Sequence, residues 1–169
     1  MAAPPAFDFQ PFLDQMTAQG AGGLRLPPPV FDLMKTDVRD YRPGDAEADR
    51  VGAALVARFP VQEAFQNPMG VMQGGMVAAA IDNVVGPLSY LVAPPSVTAT
   101  LSITYLAPVT PDLAHVEVEA KLTARAGRQL VFDATVSAPD GRRPAVARAT
   151  QTVVRKGTRD EGNGNGQKG

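Results

Sequence analysis

The feature that most constrains this chain is residues 74–92, Gly-Gly-Met-Val-Ala-Ala-Ala-Ile-Asp-Asn-Val-Val-Gly-Pro-Leu-Ser-Tyr-Leu-Val. From Met76 onward only Asp82, Asn83, Ser89 and Tyr90 carry polar side-chain atoms. A helix of that composition has too little polar circumference to lie on a surface, so other elements must wrap it. Ala78, Ala79 and Ala80 favour the helix and let a sheet approach closely. The segment does not read as a membrane span, because Gly86 and Pro87 interrupt it and its single acid is costly in hydrocarbon. Pro87 is expected to kink or break the last turn.

Gly74 and Gly75 leave the first backbone N–H groups of that helix bare, at the positive end of its dipole, where an electron-rich group can sit. Taken singly, a Gly-Gly pair is a tight turn and a lone acid is a solvated side chain. Together on one apolar helix they form a candidate site, since a carboxylate with so little water around it needs a partner or a task.

Strands flank the helix on both sides. Met34–Arg42 and Val51–Phe59 read as a hairpin around the turn-forming Arg-Pro-Gly-Asp at 42–45, and Val61–Phe65 as a helical turn before Asn67-Pro68. After Pro94-Pro95, Val97, Ala99, Leu101, Ile103 and Tyr105 alternate with Thr98, Thr100, Ser102 and Thr104. Three more alternating runs follow, 115–124, 129–138 and 145–155, joined by Ala126-Gly127 and Asp140-Gly141 turns. The expected architecture is α+β, a curved antiparallel sheet whose last four strands form a meander, wrapped around one long helix.

The 169 residues suit one core-bearing domain. With 16 basic and 17 acidic residues the net charge is −1, which gives no electrostatic case for nucleic acid or membrane. No cysteine and a single histidine, His115, exclude a disulfide, a thiol nucleophile, and a thiolate or multi-histidine metal site. Residues 1–30 form a Pro/Gly-rich extension with a possible short helix at Phe12–Ala18 and no signal-peptide pattern, so the chain is expected to be cytoplasmic. The main domain is placed at 31–156. The tail 157–169 lacks apolar anchors and is expected to be disordered.

Asn67, Gly70, Gln73-Gly74-Gly75, Asp82 and Tyr105-Leu106-Ala107-Pro108 stand at the spacings of a known motif. Over Met34–Lys156 the chain resembles the phenylacetate-degradation type of hotdog-fold acyl-CoA thioesterase, in which an Asn, a Gly three residues on, a His-Gly-Gly, a following acid and a strand ending in Tyr-x-x-Pro recur. The resemblance implies hydrolysis of an acyl-CoA thioester, without a metal or bound cofactor, in a homodimer or dimer of dimers. It implies that the Gly74 N–H polarises the thioester carbonyl, that Asp82 activates water or attacks directly, and that Asn67 orients water or thioester. The hydroxyl on the following strand looks like Thr98, with Thr100 one alternation away. Gln73 replaces the family's usual histidine; it can hydrogen-bond but cannot take up a proton near neutral pH.

Coenzyme A carries phosphates. Between Lys121 and Lys156 eight basic residues face two acids, a local charge of +6, and Arg125, Arg128, Arg142 and Arg143 fall at turns where they could meet those phosphates. Gly75, Met72 and Phe65, with Met76, Leu88 and Tyr90, are candidates for the acyl pocket wall. Two other readings compete: a non-catalytic acyl-CoA binder or structural hotdog protein, and an enoyl-thioester hydratase using His115. Finally, eight helical residues separate Gly74 from Asp82, about 12 Å, too far to serve one thioester from one helix. An antiparallel helix from a two-fold partner would supply the missing group, so each site is expected to draw on two chains.

Overall fold

The computed structural model describes Gln10, Pro11, Leu13, Asp14 and residues 27–154. The rest of the expected helix at Phe12–Ala18 and the tail lie outside the described residues; Leu13 is helical and packs, partly buried, against the core. Chain order is α1 (Pro29–Met34), β1 (Asp37–Arg42), β2 (Ala54–Pro60), α2 (Gly74–Val92), β3 (Ser96–Tyr105), β4 (His115–Ala126), β5 (Gln129–Ser137) and β6 (Ala145–Val153).

The first strand starts later than its apolar pattern suggests. Pro29 occupies the first turn of α1, where its fixed φ suits a helix and its missing N–H is not needed. Phe31 and Met34, three residues apart, then share one buried face, and Lys35 at φ 50° ends the helix. Val51, expected in a strand, lies instead in the loop before β2, where Asp49, Arg50 and Gly52 adopt positive φ.

The six strands are antiparallel in the order β1-β2-β4-β5-β6-β3. The meander is therefore three strands, β4–β5–β6, and β3 pairs with β6 rather than β4. The β3–β4 connection carries Pro108 and Pro111, which cannot make a tight hairpin, so the chain crosses two strands instead. It passes the start of α2, where the Met72 N–H donates to Val109 O at 2.9 Å.

One side of α2 is buried. Ile81, Val84, Val85 and Leu88 have no solvent exposure, and neither do Leu55, Phe59, Val118, Leu122, Leu130, Phe132 and Val136 of the sheet. Each such side chain contributes on the order of 1.5–3 kcal/mol through burial. This packing carries the helix unbroken through Pro87, itself buried, to Val92. By length and composition α2 could cross a membrane, but here it is the central helix on which the sheet packs.

The sheet does not enclose α2 as fully as its composition suggests. Gly75 and Asp82 are exposed, and Ala78, Ala79 and Gly86 are partly so. Gly75, Ala79, Asp82 and Gly86 fall at helical spacing on one side. β3 is an edge strand, leaving its free edge open to solvent.

Candidate active site

The site grows from a bulge in β3. Thr98 pairs with Gln151 and Thr100 with Thr150, so Ala99 is an extra residue that the partner strand does not match. Simple alternation would put Thr98 on the face opposite Leu101, Ile103 and Tyr105. The bulge shifts the phase by one, because an unpaired residue turns every later side chain to the other face. Thr98 therefore shares the helix-facing side with Leu101 and Ile103, which pack against the core, while Val97 is 55% exposed. Thr100 points away, its hydroxyl 2.7 Å from Thr150 Oγ1.

Across from this strand stands Asp82. Thr98 Oγ1 donates to Asp82 Oδ1 at 2.9 Å, and Gln151 Nε2 donates to Thr98 Oγ1 at 2.9 Å. Gln151 is 1% exposed, whereas Asp82 is open to solvent. A buried amide thus holds a hydroxyl, and the hydroxyl holds one oxygen of an accessible carboxylate. Sequence reading passed over Gln151. The available signal was its phase, since it continues the inward-facing series Ala145, Ala147, Ala149, where an apolar residue would be expected.

The helix start forms the second part. Met76 and Val77 N–H both turn back to Gln73 O, and no described acceptor takes the Gly74 or Gly75 N–H. Tyr105, which opens the Tyr-x-x-Pro stretch of the motif, donates from its hydroxyl to Gly74 O at 2.7 Å. A cavity of about 350 Å³ opens here between Met72, Gly74, Val77, Tyr105, Leu106 and Pro144. Gln73 is exposed, and its side chain does not cap the helix.

Asn67 shapes the loop before the helix. Its Oδ1 accepts from Met69 N–H at 2.9 Å and Val71 N–H at 3.4 Å, an Asx-type turn, and Gly70 follows at φ +76°. With Oδ1 occupied, Asn67 has its Nδ2 left to offer as a donor.

The structure separates the other candidates. Met72, Phe65 and Leu88 all belong to the core cluster, and of the three Met72 also borders the cavity. Arg142 and Arg143 lie on the β5–β6 turn beside Pro144, at the Gly74 end of α2, and Arg142 Nε meets Asp140 Oδ2 at 2.6 Å. That hydrogen-bonding from Arg142 holds the Asp140 carboxyl below its usual range. Arg125 reaches the opposite end, its Nη1 3.4 Å from Val92 O, and Arg128 lies on the adjoining β4–β5 turn. The two ends are about 27 Å apart along the helix. His115 begins β4 opposite Pro60, with β5 and β6 between it and β3. Among the described residues no acid and histidine cluster could hold a metal.

A six-stranded antiparallel sheet on one long central helix, with a bare helix start facing a cavity, defines a hotdog-fold protein. The family model of the thioesterase superfamily matches residues 69–145 of the chain. A phenylacetic acid degradation-related protein of Ralstonia eutropha JMP134 shares 26% identity with a TM-score of 0.65, over 84% of this chain and 98% of that one. The E. coli PaaI protein from the phenylacetic acid degradation operon superimposes with a TM-score of 0.68 at 14% identity, over 85% and 96%. A Haemophilus influenzae thioesterase does so with 0.64 at 16%, over 75% and 82%. No curated protein matches the sequence.

Proposed function

We propose that this protein hydrolyses acyl-CoA thioesters, with each active site shared between two copies of the chain. The observation that carries the reading is the accessible Asp82 carboxylate, held by Thr98, on the same helix whose start leaves the Gly74 N–H free. The thioester carbonyl oxygen accepts from Gly74 N–H, where the helix dipole favours the charge that develops as water adds to the carbonyl carbon. A preorganised donor of this kind lowers the barrier by about 3 kcal/mol. Asp82 Oδ1 is engaged by Thr98, so Oδ2 takes the proton from the attacking water. Collapse of the tetrahedral oxyanion breaks the C–S bond, releasing the carboxylic acid and the coenzyme A thiol, which recovers the proton. Asn67 Nδ2 donates to the thioester or the water, and Met72 lines the acyl cavity.

Gly74 and Asp82 of one helix are about 12 Å apart, so the Asp82 that serves a given Gly74 belongs to the partner. The open side of α2, with its small residues, and the free edge of β3 give a two-fold partner room to bring the helices together antiparallel. Gln73 in place of histidine favours a second reading, acyl-CoA binding without turnover.

A panel of acyl-CoA thioesters with a thiol-trapping dye separates the two. Hydrolysis predicts thiol release by the wild type and at least about a hundredfold lower kcat for a folded Asp82→Asn; saturable binding without thiol release supports the binder. The shared site is tested by co-refolding Asn67→Ala with Asp82→Ala. Half of randomly paired dimers are mixed and each rebuilds one site of two, so about a quarter of wild-type activity should return. No recovery with mixed dimers present refutes it.

A further inference from the structure

From the hydrogen-bond chain behind Asp82 we infer that Gln151 is a positioning residue for the carboxylate, acting through the direction of the Thr98 hydroxyl proton. The inference rests on the reading of Asp82 as the base.

A glutamine with 1% exposure on the inward face of β6 is costly, because its amide leaves water. Its neighbours on that face, Ala145 and Ala149, are buried and apolar, so packing alone would be served as well by methionine or leucine. Its Nε2 donates not to backbone but to Thr98 Oγ1, at 2.9 Å. A threonine hydroxyl has one proton. With an amide N–H directed at its lone pair, that proton turns away from Gln151 and towards Asp82 Oδ1, 2.9 Å distant. The Ala99 bulge brings Thr98 to the same face as Gln151 and Asp82; without it the hydroxyl would stand outside with that of Thr100.

The consequence is geometric. A carboxylate on an exposed helix side can rotate about χ2, and each orientation presents a different oxygen to the substrate. Fixing Oδ1 against Thr98 leaves Oδ2 as the free proton acceptor on the open side. Without the Gln151 donor the Thr98 proton is free to rotate elsewhere, and Asp82 loses its anchor without losing its charge.

The test is a double-mutant cycle on purified full-length protein with the best thioester from the panel. Gln151→Met removes the amide at similar volume. It should lower kcat about tenfold with KM changed less than twofold, while adding less than twofold in a Thr98→Val background, because the hydroxyl through which it acts is already gone. Gln151→Glu, nearly the same shape, serves if methionine is not accepted by the core: once ionised, the new carboxyl accepts from Thr98 instead of donating to it. Its kcat deficit relative to wild type should widen as pH rises through that ionisation. The inference is overturned if a folded Gln151→Met keeps kcat within twofold, if its loss is undiminished beside Thr98→Val, if only KM moves, or if the Gln151→Glu deficit does not change with pH. The underlying reading fails differently, by absent thiol release in the wild type or full turnover in Asp82→Asn.

Discussion

The two ends of α2 are built to opposite rules. At Val92 the ends of the chain's hydrogen-bonding groups are met from within: Ala93 N–H returns to Ser89 O at 3.0 Å, Ser89 Oγ donates to Gly86 O at 2.6 Å, Ser96 Oγ donates to Ser89 Oγ at 2.8 Å, and Arg125 reaches the last carbonyl. At Gly74 the first two N–H groups have no described acceptor, and a cavity lies beside them. Every helix leaves such groups over. This one satisfies them where the sheet needs a firm end and leaves them free where a ligand can take them, so damage at the first end should register in stability and damage at the second in activity.

Among variants at the two ends, the largest effect should follow from Gly74→Ala. A Cβ there would lie 3.2 Å from Tyr105 Cζ and 3.3 Å from its hydroxyl, so the ring must give way and the Tyr105–Gly74 hydrogen bond shifts with it. Displacement of about 1 Å at a reacting centre costs about a hundredfold, which is the kcat loss expected, with an unfolding midpoint equal to or above wild type because alanine suits a helix better than glycine. A fall in stability with full activity would break the comparison.

Ser89→Ala should do the reverse. Ser89 is fully buried and Ser96 nearly so; removing the acceptor strands the Ser96 hydroxyl at a cost of about 1–3 kcal/mol, read as a lower urea midpoint with unchanged kcat. The arginines sharpen the contrast further. Replacing Arg142 and Arg143 by alanine should raise KM for acyl-CoA a few-fold, the more so at low salt, whereas Arg125→Ala should leave KM alone and lower the urea midpoint. Equal KM effects from the two turns would show that phosphate recognition is not confined to the Gly74 end.

The smallest effect should come from the outer face, away from both ends. Arg148 hydrogen-bonds Asp133 through two nitrogens and holds its carboxyl below the usual range. A depressed carboxyl adds stability above its unfolded-state pKa, and that contribution is lost as pH falls through the folded-state value. Asp133→Asn should therefore shift the urea midpoint slightly at neutral pH and not at all in acid, with kcat unaffected.

The sequence by itself determined the central helix, the turns at Gly127 and Gly141 and the α+β class, because these depend on local composition and periodicity; the candidate constellation of Asn67, Gly74 and Asp82 is what its resemblance to a family motif implies. Tertiary structure decided the rest. Pro87 does not end the helix, because the packing of its neighbours on the sheet outweighs one missing N–H. That Thr98 rather than Thr100 meets Asp82 turned on a bulge, and a bulge is a mismatch between two strands that neither strand records alone. β3 left the meander because strand order is set by which edges meet across the whole sheet. Gln151 met Thr98 for the same reason: residues far apart in the chain become neighbours when β6 pairs with β3, and the amide's purpose lies in what it then touches.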